Sequence, residues 1–553
     1  MEKKEITIEI KHPEIFLLLI ILAVFLYFQL QVSLNSPISF GDEGFHARAG
    51  QYIAEEKEFP VWIPYTETPV NKQGLSGFPF WWLLQAGFYL ILGFNINLIK
   101  FLTPFMASFL VGIVVFLLGK RIYNKEIGFM ASIIAISIPS LVTYSVLLYK
   151  DSLFTLYFSL FVLSIILAIK TDQKKYFILS SVFAPLALLA KTPGWMIFPT
   201  IALAFLYEVY NKKSFFKPLK KYIVFLIFLL LILGPLSIRE WVYYHTPSCS
   251  FPFFDTSGCF IFTYKDSYEF AGRTEEVGTE VNFLRMGVIN YLDFAYGIIW
   301  FVPLTFICGL FIILKRLEKS DISIILIIIS SLPLIYMTYW GRSEDFARYT
   351  QGLAAIVGLV SAVYLREIYD FVRKHLKQIS IIIFILVISL SYLNLTTKLY
   401  AARHYDEGSG RYVGYKMFSP LFFEACDWVK QNLDENVRLG SVIWGSATMF
   451  NCQRNAGGGG ADVTLSNNLT LALSVLKMQE VTHIFITKFS ISWTDQKLSE
   501  RYPISYVSFL EDNPEYFKKV FENGPPLQQC MQMGGCDGTI IYEIDYIKFD
   551  ETS

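Results

Sequence analysis

Ser36-Pro-Ile-Ser-Phe-Gly-Asp-Glu-Gly-Phe-His-Ala-Arg-Ala-Gly-Gln-Tyr-Ile53 is the stretch on which the rest of the chain turns. It is polar, it carries two adjacent carboxylates, Asp42 and Glu43, and it follows directly on an apolar run at 15–34. Acidic residues at the lip of a membrane-spanning helix are costly and point to chemistry. The same letters also read as a helix start. Gly41-Asp42 makes a good N-cap, and Ala47, Ala49, Tyr52 and Ile53 continue a short helix. Both readings stand at this point.

The surroundings of that stretch are membrane-like. Of 553 residues, 54% are hydrophobic, 17% aromatic and 17% charged, against about a quarter charged in an ordinary soluble domain. Mean hydropathy is +0.44. Net charge is zero, so nothing draws the chain as a whole toward nucleic acid. Apolar runs fall near 15–34, 78–94, 100–119, 127–148, 152–169, 176–190, 194–209, 222–239, 291–314, 322–340, 347–366 and 378–396. The first is too long for a signal-peptide core and no small-residue cleavage pattern follows it, so it reads as a retained helix. No internal repeat is visible, which weakens an inverted-repeat transporter.

Basic residues sort the loops. Lys120, Arg121 and Lys125 form one cluster, Lys170, Lys174 and Lys175 the next, and Lys212, Lys213, Lys217, Lys220 and Lys221 the largest. Lys315, Arg316 and Lys319 follow, then Arg366, Arg373, Lys374 and Lys377. Short basic loops stay cytoplasmic, and the N-terminus joins them. The chain must then cross an even number of times before Lys120. The run 78–94 is aromatic-rich and interrupted by Pro79, and Trp and Tyr favour the membrane–water interface. It reads as an interfacial helix of the first outer loop. About eleven crossings remain, with outer loops 35–99 and 240–290. Domain 1–396 is thus a polytopic α-helical membrane domain, and 397–553 an extracytoplasmic domain.

That last segment alternates differently. Leu471 to Met478 is amphipathic, and His483–Thr487 and Thr539–Tyr542 read as strands, which suggests a small soluble α/β domain. Cys426 and Cys452, and Cys530 and Cys536, lie in it, while Cys249 and Cys259 share an outer loop. Such spacings in an oxidising compartment suit disulfides, although the pairing stays open.

The outer ends of the helices carry Asp42, Glu43, His46, Arg48, Lys150, Asp151, Lys191, Arg239, Arg342 and Arg348, with Tyr349 next to the last. A carboxylate there can take a proton from an acceptor hydroxyl. Cations can clamp a departing phosphate, and guanidinium groups can do so with two hydrogen bonds. Residue by residue, helix capping by Asp151 and snorkelling by Lys150, Arg239 and Arg348 account for the pattern equally well. The whole set on one face favours function.

The chain resembles the GT-C superfamily of integral-membrane glycosyltransferases, and within it the protein O-mannosyltransferase and aminoarabinose-transferase-like enzymes. The resemblance rests on Gly-Asp-Glu-Gly-Phe-His-Ala-Arg-Ala (41–49), Phe-Pro-Phe-Trp-Trp (78–82), Tyr-Lys-Asp-Ser-Leu (149–153), Ala-Lys-Thr-Pro-Gly (190–194), the segment from Arg239 to Pro247, and Arg348-Tyr349. It implies that Asp42 is the catalytic base, that Glu43 assists it or binds the acceptor, and that Asp151 is a second acidic site residue. Lys191, Arg239 and Arg348 become phosphate contacts, and His46, Arg48, Lys150, Arg342 and Tyr349 join the donor-phosphate and substrate-binding set. The relatives' basic proline motif is here Ser76-Gly77-Phe78-Pro79, with Lys72 upstream. No Trp-Trp-Asp-Tyr-Gly motif is present, which disfavours the branch that moves whole glycans to asparagine. The implied partners are a polyprenyl- or dolichyl-phosphate-linked sugar and an acceptor protein, glycan or lipid. Asp42, Glu43 and Asp151 offer hard oxygen ligands, so a divalent metal fits the pattern without being required by it. A transporter or flippase of lipid-linked sugars is the alternative.

Overall fold

The computed structural model describes residues 13–34, 38, 43–60, 79–244, 301–339, 350–376, 380–406, 411–413, 420–441, 445–457, 469–478, 480–488, 505–526, 529 and 536–552. The sequence calls on Asp42, Arg342, Arg348, Tyr349, Cys249, Cys259 and Cys530 lie outside these residues, as does most of loop 240–290.

Among the described residues, the first 403 form helices joined by turns and contain no strand. Helix α1 spans Pro13–Leu34, α2 Glu43–Glu56 and α3 Pro79–Leu92. Next come α4 (Ile96–Lys100), a π-turn at Phe101–Phe105 and α5 (Met106–Ile122) as one rod. They are followed by α6 (Lys125–Ile136), α7 (Pro139–Ser145), α8 (Asp151–Thr171), α9 (Lys174–Ala190), α10 (Ile197–Lys212) and α11 (Phe216–Tyr244). The later helices are α12 (Phe301–Arg316), α13 (Lys319–Tyr339), α14 (Ala354–His375) and α15 (Ile381–Arg403). Among the described residues, 96–122, 151–171, 216–239 and 351–375 are long and apolar enough to cross a membrane. The chain is a multi-pass membrane protein.

Local chemistry sets the boundaries. Asn95 caps α4 by accepting from the amides of Asn97 and Leu98, and Asn124 caps α6 through Ile127. Pro104 lacks an amide hydrogen and sits in the π-turn, where the ladder is already displaced. The run 127–148 is corrected in one respect: it is broken into two helices, α6 and α7, rather than continuous. Pro139 pushes Ile138 into extended backbone and opens α7 at its first position. Small residues then let helices close up. A Cβ on Gly119 would lie 2.5 Å from Gly128 Cα, and one on Gly358 would lie 2.6 Å from Ala131 O. Such contacts drive helix association where there is no water to expel.

Ionic contacts sort the helix ends into two groups. At one end, Lys170 Nζ donates to Ile122 O at 2.6 Å, and Lys212 and Lys221 both pair with Asp172. Arg316 grips Asp321 through two bonds of 2.7 Å, with Tyr123 donating to the same carboxylate. Glu43, Leu148, Asp151, Lys191 and Arg239 lie at the opposite ends of these helices.

The C-terminal part carries a five-stranded mixed sheet in the order β4-β3-β5-β7-β6. Here β3 is Arg438–Ser441, β4 Asn455–Gly457, β5 His483–Thr487, β6 Phe517–Glu522 and β7 Thr539–Ile544. A separate hairpin pairs β1 (His404–Asp406) with β2 (Arg411–Val413). Strand β3 runs parallel to β4 and β5, whereas β7 is antiparallel to β5 and β6. Alternation along β5 divides two cores. Ile484 and Ile486 pack with Leu473, Val507 and Phe549, while Phe485 packs with Phe422 and Ile541. The second core continues without a break into Phe45, Trp81, Trp82 and Leu153, so the sheet domain and the first loop share one apolar interior. Helix α16 (Pro420–Asn432) and helix α17 (Gly445–Cys452) are joined there by the Cys426–Cys452 disulfide. Asn451 Nδ2 donates to Ile38 O at 2.8 Å. Cys536 is also disulfide-bonded, to a residue outside those described, while Cys308 is free.

His483 provides a pH test of this domain. Burial lowers its pKa below the ordinary 6.5, and Glu543 across the sheet offsets only part of that. The unfolded chain therefore binds the extra proton first, and stability falls as pH drops through 6.5 toward the lowered folded value. Thermal melts of the full chain should show this acid-side loss, and His483→Gln should flatten it.

Candidate active site

Helix α2 is the centre of the site. Its first turn carries Glu43, favourably placed at the positive end of the helix dipole. Glu43, Phe45, His46, Ala47, Ala49 and Ile53 are buried, whereas Glu55 and Glu56 are exposed. The helix expected after Gly41-Asp42 is present and is described from Glu43 onward, while Asp42 itself lies outside the described residues.

Glu43 is fully buried, and its Oε1 accepts from Leu148 N at 2.7 Å. Leu148 belongs to the turn that leads into Tyr149-Lys150-Asp151. Two acidic motifs separated by 105 residues are thus joined by one charge-assisted hydrogen bond. Replacing Glu43 with Ala leaves the Leu148 amide buried without this partner and should cost about 1–3 kcal/mol. Glu43→Gln keeps an acceptor and should lose less than half as much. Thermal midpoints of the purified variants check this.

Asp151 does not cap α8, which corrects the capping alternative. It is the first residue of the helix, and its carboxylate forms an ion pair with Lys191. Both side chains are buried, at 0% and 3% exposure. Lys191 is held by the break between α9 and the 3-10 turn Thr192–Met196, where its own backbone is extended. Gly194 permits that turn, because a Cβ there would lie 2.8 Å from Leu188 Cα. Lys150 is also buried, at 5% exposure.

Trp82 Nε1 donates to His46 Nδ1 at 2.9 Å, and the imidazole sits edge-on to Tyr149 at 6.0 Å between ring centres. Arg48 pairs with Glu55 at 2.7 Å near the surface. Arg239 donates to the carbonyls of Phe59 and Pro60, at 2.9 and 3.2 Å, and stacks on the Phe59 ring. It therefore ties the end of α11 to the chain just after α2. Tyr52 donates to Glu58 at 2.6 Å. That bond, with burial, raises the Tyr52 pKa to about 12 and removes the phenol as a base.

Two features escaped the sequence reading. Trp81 and Trp82 are both fully buried on the α2 side of α3, and Leu83, Leu90 and Ile91 form its exposed side. Lys100 is 1% exposed and donates to Ser33 O at 3.3 Å, next to the π-turn. A lone cation at the start of an apolar rod beside Thr103-Pro104 was the available signal.

A family model described as dolichyl-phosphate-mannose-protein mannosyltransferase matches residues 77–238. Those residues include α3, Lys150, Asp151 and Lys191. Among solved structures, ArnT from Cupriavidus metallidurans bound to undecaprenyl phosphate aligns over 96% of this chain and 98% of its own. Its TM-score is 0.58 and its identity 11%. The fold is that of the GT-C superfamily of membrane glycosyltransferases. The oligosaccharyltransferase of Archaeoglobus fulgidus, in complex with Zn and sulfate, shares this GT-C fold. It has a TM-score of 0.62 at 14% identity, covering 91% of this chain and 72% of that one. The archaeal oligosaccharyltransferase AglB from Archaeoglobus fulgidus, with an inhibitory peptide and a dolichol-phosphate, gives 0.59 at 13%, covering 92% and 73%. The GT-C fold alone does not separate the branches, since both score alike. No curated protein sequence matches the chain.

Proposed function

We propose that the chain is an inverting glycosyltransferase. It moves a single sugar, a hexose or pentose, from a polyprenyl- or dolichyl-phosphate donor to an acceptor on the extracytoplasmic face. The observation that supports this most is the Glu43–Leu148 bond. It brings the loop of Asp42 to the turn that presents Lys150 and Asp151, with Lys191 paired beside them. Two buried carboxylates then stand with the buried ammonium groups of Lys150 and Lys191, with Lys100 on the neighbouring rod.

In this reading Asp42 takes the proton of an acceptor hydroxyl as its oxygen attacks C1 of the sugar. The bond between C1 and the phosphate oxygen breaks on the opposite side, and the lipid phosphate leaves with the electron pair. Lys150 and Lys191 stabilise the charge that develops on it, with Lys100, Arg239, Arg342 and Arg348 as further candidates. The lipid phosphates bound by ArnT and AglB support this donor class. A catalytic cation is not built into the scheme. Glu43 is committed to an amide and Asp151 to a lysine, and among the described residues no three His, Cys, Asp or Glu side chains form a ligand group. About eleven crossings put the N-terminus in the cytoplasm and the sheet domain, from about residue 397, outside.

The test uses proteoliposomes of the wild-type chain with labelled dolichyl- and polyprenyl-phosphate sugars, with and without chelator. Label passing from lipid to a glycan, peptide or lipid acceptor supports the enzyme. Labelled donor that only changes leaflet supports a flippase instead.

A further inference from the structure

Gln351 lies in the 3-10 turn Thr350–Leu353 that leads into α14. Its side chain is fully buried, and among the described residues neither Oε1 nor Nε2 has a hydrogen-bond partner. A buried amide left unpaired at both atoms is unfavourable, and an apolar side chain of the same size would suit the site better. Whatever completes it lies beyond the described residues.

The position narrows what that is. Gly352 rests on the ring of Phe154, where a Cβ would come within 2.8 Å, and it lies close to Phe158 as well. Residues 151, 154 and 158 share one face of a helix at three- and four-residue spacing. The turn of Gln351 thus packs on the face of α8 that begins with Asp151. A carboxamide is neutral and sets a carbonyl acceptor beside an N–H donor. That complements two adjacent hydroxyls of a sugar, one giving and one receiving a hydrogen bond, and offers nothing special to a phosphate charge. Complete burial within the helical domain favours the sugar of a membrane-borne donor over an acceptor arriving from water.

We propose that Gln351 is a sugar-recognition residue, binding a vicinal hydroxyl pair of the donor sugar beside Asp151. The inference rests on the lipid-phosphate-sugar reading given above. The test is binding to the full chain in nanodiscs, using dolichyl phosphate, dolichyl phosphate mannose and dolichyl phosphate glucose as probes. Wild type should prefer at least one sugar-bearing lipid over the bare phosphate, and Gln351→Leu should reduce that preference roughly ten-fold, the scale of one or two hydrogen bonds. The affinity of the variant for dolichyl phosphate should stay within about two-fold, and its thermal midpoint should rise. Gln351→Met should behave alike. An unchanged sugar preference in the more stable variant would assign the amide to a trapped water and overturn the inference. So would a wild type without sugar preference, or a variant that loses stability and dolichyl phosphate together, which marks a packing role. Failure of wild type to bind any of the three lipids would instead remove the donor class itself.

Discussion

Lys191→Met is expected to destabilise the protein by about 3–5 kcal/mol, the cost of stranding one member of a buried ion pair. Asp151 opens α8 and Lys191 sits in the break after α9; both are nearly or fully buried and they pair directly. Removing the ammonium takes away the buried carboxylate's paired counter-charge. Asp151→Leu strands the lysine and should cost a similar amount. The double variant Asp151→Leu/Lys191→Met removes both charges and should recover most of the lost stability, because desolvation of the pair consumes much of its attraction. It should not recover sugar transfer. Thermal midpoints and transfer rates of the three variants separate the two roles: a purely structural pair would return activity together with stability.

Asp42→Asn is expected to lower transfer by about 10²–10⁴, the usual contribution of a positioned general base. The change keeps the size of the side chain, and Asn caps a helix as well as Asp where a cap is needed. Stability should therefore stay within about 0.5 kcal/mol, as for substitutions that keep their local role. Initial rates and melts on the same preparation check both halves. A helix cap with no chemical role predicts unchanged rates.

Much of this architecture could be read from residue pattern. The start of α2, the run that became α3, the amphipathic helix at 469–478 and strands β5 and β7 carry short-range signals of spacing and composition. The grouping of basic loops at one end followed from charge. What stayed hidden was pairing between distant residues. Asp151 and Lys191 are 40 residues apart, and each has an adequate local explanation as a cap or a turn cation. The burial of Trp81 and Trp82 could not be read from composition, because the partner that buries them, α2, is set by tertiary packing. The split of 127–148 was legible in Pro139 but was outweighed by the length of the apolar run. The contact between His46 and Trp82 likewise joins residues 36 apart and could not be read from either one alone.

The central claim is base-driven displacement of lipid phosphate by an acceptor oxygen at the loop of Asp42. Single-turnover transfer from pre-bound, labelled donor tests it most directly, with the anomeric configuration of the product determined alongside the rate. Wild type should release a product inverted at C1, and Asp42→Asn should hold the donor equally well yet fail to transfer it. A product of retained configuration, or transfer by Asp42→Asn at the wild-type rate, would contradict the claim.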